Sequence, residues 1–196
     1  NNRCSEIFSD ALFKASHVIE KESLAVNNDS FSNIPSTSRQ VVSSAILCSS
    51  TGINICGPRA LPVLAKLIKP LLRFQLVASN FLKSSMNENN VKKTEISQAK
   101  MMQLAILRGL SSVIENMPML IKPYLVDIIK GFSQVNEILQ NSSINHFQSI
   151  QTSLEALHKS MTSRIPARQL IPAISKSIMS TENANLILPT ISIMSD

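Results

Sequence analysis

The sequence predicts an all-α chain whose helices stack in pairs, and three observations predict it. Apolar residues recur at steps of three and four along most of the chain, the spacing that places them on one face of a helix. There are only 4 Gly in 196 residues, few for a sheet protein with many tight turns. A proline followed by an apolar helical pattern recurs at Pro62 (PVLAKLIKPLLRF), Pro123 (PYLVDIIKGF) and Pro172 (PAISKSIM). Proline suits the first turn of a helix, where the backbone N–H groups have no intrahelical partner. With 44% hydrophobic residues, 4% aromatic residues and no Trp, the core must be built from Leu, Ile, Val and Met.

Successive prolines of this set lie 61 and 49 residues apart, and each is preceded by a second proline, at Pro58, Pro118 and Pro166. The polar tract 84–94 (SSMNENNVKKT) reads as a flexible loop inserted into the longer interval. Without it the period is near fifty, close to the roughly 40–47 residues of two-helix HEAT-type repeats. The expected architecture is a HEAT-type α-solenoid of three to four helix pairs, a single region over 1–196. The first residue is Asn and no leader pattern is visible, so the chain reads as a fragment of a much longer protein. A generic helical bundle is the plainer alternative.

Taken in order, 6–26 is the first helical pattern, with Ile7, Leu12, Ala15, Val18 and Ile19 near one face. Residues 27–38 carry Asn, Asp, Ser and Pro, which favour turns over helix. Thr37 or Ser38 can cap a helix over 39–49 that buries Val41, Val42, Ala45 and Ile46. Gly52 and Gly57 mark a break over 51–58. The next helix, 59–81, is long and apolar, and Pro70 in its interior predicts a kink or a split.

The segment 101–133 is the most strongly patterned. Met101, Leu104, Ala105, Leu107, Leu110, Val113 and Ile114 form one stripe. Leu120, Tyr124, Leu125, Ile128, Ile129 and Phe132 form a second, beyond a break at 116–118. Neither stripe can be buried alone, so the two helices are expected to pack antiparallel and then to need neighbours. A further helix covers 144–161 with Ile150, Leu154, Leu157 and Met161 in register, and 170–179 is its partner. Residues 185–196 read as the start of another helix or as a strand. Core positions are Leu104, Leu107, Leu110, Leu125, Ile128, Leu154 and Leu157.

Chemistry-bearing patterns are sparse. His17, His146 and His158 stand apart with no second ligand at metal-binding spacing, and Cys4, Cys48 and Cys56 follow no such spacing either, so they read as reduced thiols. Ser97-x-x-Lys100 lacks a third partner or an oxyanion loop. No Gly-rich phosphate loop is present. Lys66, Lys69, Lys122 and Asp127 interrupt the longest apolar runs, which argues against a membrane span. The chain is therefore expected to be neither an enzyme nor a cofactor protein, with no small-molecule substrate.

The net charge of +6 is unevenly placed. Residues 30–87 contain no Asp or Glu, while Arg39, Arg59, Lys66, Lys69, Arg73 and Lys83 are all basic. Lys66, Lys69 and Arg73 fall on one helical face, with Arg59 seven residues before Lys66. This stripe is the candidate contact site. RNA phosphate, an acidic protein partner and the ordinary solvated face of a helix are its three readings. Aromatic residues for base stacking are missing nearby, apart from Phe74 and Phe81, which fit the core.

Two phrases carry a resemblance. MPMLIKPYLVDII, preceded by LRGLSSVIE, and RIPARQLIPAISKS resemble the C-terminal part of the U3 small nucleolar RNA-associated protein 10 family, called HEAT repeat-containing protein 1 in animals. The resemblance is best over 98–177, extends to GPRALPVLAKLIKPLL within 40–82, and is weak before 39 and after 179. The Asn-rich tracts depart from it. It implies a scaffold in the nucleus and nucleolus, acting in the small-subunit processome and in pre-ribosomal RNA transcription and processing. The implied partners are other processome proteins, with pre-ribosomal RNA or the particle that carries U3 small nucleolar RNA as candidates. It implies no catalytic residues. The competing reading is a HEAT adaptor of transport or signalling that binds a peptide or a GTPase.

Limited proteolysis should cut first within 84–94. Resistance there, with first cuts inside 101–109, would contradict the assignment of helices around it.

Overall fold

A computed structural model describes residues 2–26, 30–86, 92–141 and 147–180. The described residues form seven α-helices and no strand. They are α1 (Asn2–Ala25), α2 (Ser36–Cys56), α3 (Leu61–Ser85), α4 (Lys93–Asn116), α5 (Leu125–Gln140), α6 (Gln148–Arg164) and α7 (Ala167–Met179). Short 3-10 turns precede α2 and α3, and two more link α4 to α5. The all-α class is as the sequence predicts.

Helix contacts fall into two series. The odd helices touch in the order α1, α3, α5, α7, and the even ones in the order α2, α4, α6. Rungs join α1 to α2, α3 to α4 and α5 to α6. The expected antiparallel packing of the two stripes in 101–133 is therefore corrected. Helix α4 packs on α2, α3 and α6, whereas α5 packs on α3, α7 and α6, and the two make at most marginal contact. The eight residues between them hold two prolines in 3-10 turns, which carry the chain from one series to the other.

Because α4 is covered from three directions, its buried surface exceeds one stripe. Met102, Ala105, Ile106, Leu107, Leu110 and Ile114 are all inaccessible, while Met101, placed in the stripe by its spacing, is 54% exposed. Of the expected core residues, Leu107, Leu110, Leu125, Ile128, Leu154 and Leu157 are buried and Leu104 is half-buried. Leu120 lies in a 3-10 turn and is exposed, as are Ile7 and Val41.

Several boundaries shift for identifiable reasons. α2 begins at Ser36 with Pro35 as N-cap, so no Thr37 or Ser38 hydroxyl caps it. It runs through Gly52 to Cys56, and the break comes only at Gly57, whose φ of 54° suits glycine. A Cβ at residue 52 would stand 3.2 Å from the Leu12 Cβ, and one at residue 109 would stand 3.2 Å from Ile46 Cγ2. These glycines let α1, α2 and α4 approach closely, which offsets the roughly 1 kcal/mol that a helical glycine costs against alanine.

α3 is one helix across Pro70, not split. Pro70 offers no N–H to the Lys66 carbonyl, but α1, α4 and α5 hold the helix on either side of it. Pro172 lies inside α7, which starts after Pro166, so Pro166 and not Pro172 marks that helix start. Pro123 sits in a 3-10 turn before α5. The ends of the expected 84–94 loop are helical: Ser84 and Ser85 finish α3, and Lys93 and Thr94 begin α4. Residues 87–91 lie outside the described residues, as do 27–29, 142–146 and the 185–196 segment.

One stretch departs from the membrane reading. Ser36–Leu64 reaches a mean hydropathy of 1.3 and is, among the described residues, long and apolar enough to cross a membrane. The window ends before Lys66. Within it Val42, Ile46, Ile53 and Leu64 are buried in the helical core.

Polar groups are also built into this core. Arg39 is 3% exposed. Its Nε donates to the Ile34 carbonyl at 2.8 Å, Nη1 to Gln98 Oε1 at 2.9 Å and Nη2 to the Ser32 carbonyl at 3.0 Å. Glu95 stands 3.7 Å from Nη2, and the guanidinium lies 4.5 Å from the centre of the Phe31 ring. Phe31 in turn packs on Phe81. One side chain thus ties the 30–34 segment to α2 and α4. Lys83 of α3 binds both carboxylate oxygens of the buried Glu137 of α5, at 2.9 and 3.0 Å. The Gln75 amide is buried with neither its N nor its O hydrogen-bonded, a state that costs about 1–3 kcal/mol.

Replacing Arg39 by Ala should lower stability by about 3 kcal/mol, because the buried Ile34 carbonyl, the Ser32 carbonyl and Gln98 lose their donor and Glu95 its cation. Urea denaturation measures this. Arg39→Lys should be nearly as damaging, since an ammonium cannot span the three acceptors that the planar guanidinium reaches.

Candidate functional site

The acid-free stretch divides once its cations are placed. Arg39 is buried, and Lys83, though exposed, has its charge committed to the buried Glu137, so neither offers its charge to a partner. Of the four candidate contact residues, Arg59 lies in the 3-10 turn Gly57–Ala60 before α3, and not on the helix itself. Lys66, Lys69 and Arg73 are on α3. Arg59, Lys66 and Lys69 are exposed and Arg73 is half-buried.

Arg73 has a structural task. Its Nη1 donates to the Ser23 carbonyl at 2.8 Å. Ser23 is in the last turn of α1, where carbonyls lack helical partners and the helix dipole favours a cation. Arg73 therefore clamps the C-terminal end of α1 onto α3.

Lys66 leans the other way along α1. Its Nζ lies 5.6 Å from the centre of the Phe13 ring, within cation–π range. Phe13 is 54% exposed. The aromatic residue that the sequence reading found missing beside the stripe is thus supplied by α1, which packs alongside α3. No spacing along the chain pairs Phe13 with Lys66. Only the α1–α3 contact does, and an apolar pattern places Phe13 merely off the buried face. Lys66, Lys69 and the open Phe13 ring together combine phosphate-attracting charge with a stacking surface.

The remaining candidates do not gather into chemistry. His17 is exposed, and His158 packs its ring 5.7 Å from that of Phe132. His146 lies outside the described residues. Cys48 is exposed and Cys56 buried. Ser97 and Lys100 do line one cleft between α4 and α6, with Phe147. The Lys100 ammonium lies 4.0 Å from the centre of the Phe147 ring, and burial holds its pKa below the usual lysine value.

No protein-family model matches the chain, and no solved structure matches it. An uncharacterized protein of Arabidopsis thaliana is similar, at 26% identity over 180 residues. The match covers 90% of this chain and 8% of the plant protein, so the chain spans less than a tenth of that relative's length.

The geometry separates the two kinds of cation by experiment. Arg73→Ala should lower stability by about 1 kcal/mol through loss of the α1 clamp. The double change Lys66→Glu and Lys69→Glu should leave the thermal midpoint within about 2 °C of wild type, as surface substitutions usually do. Calorimetry of the three proteins checks both.

Proposed function

We propose that this chain is a HEAT-type α-solenoid segment of a nucleolar scaffold that serves the small-subunit processome, where it binds proteins and pre-ribosomal RNA. The observation that carries the reading is the two-series helix packing joined by rungs, the pattern expected when helix pairs stack in register. The side-chain bridges between successive members of a series support it. They link Arg39 to Gln98 and Ser50 to Ser112 between α2 and α4, Ser23 to Arg73 between α1 and α3, and Lys83 to Glu137 between α3 and α5. The offsets are 59, 62, 50 and 54 residues, close to the 61- and 49-residue spacings of the recurrent prolines.

Function comes from the resemblance of the 98–177 phrases to the processome scaffold family. The plant relative is consistent with a segment of a far longer chain. A stacked helical array exposes extended faces, and such faces suit a protein that holds several partners at once. Lys66 and Lys69, with Phe13 beside them, are the groups assigned to RNA on this reading.

Crosslinking of the full-length protein to RNA in cells, followed by sequencing, tests it. Pre-ribosomal reads should be enriched, and Lys66→Glu with Lys69→Glu should reduce them several-fold at unchanged protein level. Enriched reads that the substitutions leave intact would move the RNA contact elsewhere. A protein absent from the nucleolus and without pre-ribosomal reads would instead be the transport or signalling adaptor.

A further inference from the structure

Where α3 passes α5, the two helices leave a cleft of about 290 Å³. Leu72 and Leu76 give it apolar walls, and Arg73, Asp127 and Lys130 stand around it. Gln75 contributes to its base. That side chain is 1% exposed, and neither its amide N nor its amide O has a hydrogen-bond partner. The amide crosses to α5 and occupies the space that a side chain at residue 131 would fill, so Gly131 is what admits it. A polar group has been brought into a helix interface, room has been made for it, and no neighbour satisfies it.

We propose that this cleft docks an extended segment of a partner protein that carries an acidic side chain, with the Gln75 amide bonding one of the segment's peptide groups. The inference rests on the reading of the chain as a protein-binding scaffold and names the chemistry of one partner. A carboxamide offers an acceptor and two donors side by side, the complement of a peptide C=O and N–H. A rotamer change about its Cβ–Cγ bond would carry the amide from Gly131 toward the cleft that Gln75 lines. Arg73 spends one N–H donor on Ser23, and a guanidinium carries five. With Lys130 it sets two cations against the single carboxylate of Asp127, a balance that favours an acidic guest.

Size and lining decide against other guests. The volume is at the lower limit of small-molecule sites, roughly 300–1,000 Å³, and suits one or two side chains of an extended segment. No aromatic side chain lines the cleft to stack a base.

Random dodecapeptides displayed on phage should be selected on the full-length protein, then titrated against Gln75→Met and Lys130→Glu. Selected peptides should be rich in Asp or Glu next to an apolar residue. Gln75→Met should weaken them at least tenfold while raising the thermal midpoint, because it removes an unpaired buried amide. A purely structural glutamine would not give that opposition. Lys130→Glu should also weaken them at least tenfold, and it carries the test if Gln75→Met fails to fold. Peptides that bind both variants as tightly as wild type would overturn the cleft and leave the scaffold reading standing. Failure to select any peptide would overturn the cleft alone, since crosslinking in cells judges the scaffold independently. A uridine oligomer that binds and is lost with Lys130→Glu would put nucleic acid in the cleft and overturn the proposal as well.

Discussion

Burial of α4 is the constraint from which the other contacts follow. Its sequence puts apolar or small residues around most of its circumference, and no single partner can cover them. α2, α3 and α6 each take a sector. Small residues make the closest approach workable: Gly109 seats Ile46 of α2, and Ser112 shares a 2.7 Å hydrogen bond with Ser50. At its start Gln98 accepts from Arg39, and near its end Glu115 accepts from Ser160 of α6. Every helix except α7 is therefore fixed by reference to α4 or to a helix that lies against it.

The helical class and the aliphatic core were legible because both are written in short-range periodicity. Leu12, Ile19, Ile46, Leu107, Ile128, Leu154 and Leu157 fall where the period puts them, and all are buried. Pairing was not legible. The strongest two adjacent patterns, in 101–116 and 120–133, invited a hairpin that the packing does not contain, because prolines in 3-10 turns send the second helix to another series. Proline and glycine rules failed where tertiary contacts outweighed local preference. Pro70 and Gly52 lie inside unbroken helices that neighbours hold from several sides.

The candidate site was legible only as charge. Counting cations in an acid-free stretch cannot say which of them face water. Arg39 looked like the others and is the most deeply used, with three donated bonds and an aromatic ring against it. Arg73 holds an end of α1, and Lys83 neutralises a buried glutamate. Lys83, though exposed, is engaged by Glu137, which leaves Lys66 and Lys69 as the pair on α3 open to a partner, and what gives that pair a second chemical character is Phe13, more than fifty residues away in the chain. Burial and cross-helix distance sort the six cations, and neither is a property of spacing within one segment.

The two-series packing has a consequence for how the molecule forms and yields. The principal contacts of each helix are with helices one or two steps along the chain, and among the described residues no major contact joins α1 to α7. Contact order is therefore low for a chain of this length, so each new helix finds its seat soon after it is made. The same locality governs mechanical response. Tension applied at the two ends should not meet one cooperative barrier but a series of small ones, with α7 leaving α5 while α1, α2 and α4 remain packed. The chain would lengthen in steps under load, one helix yielding at a time.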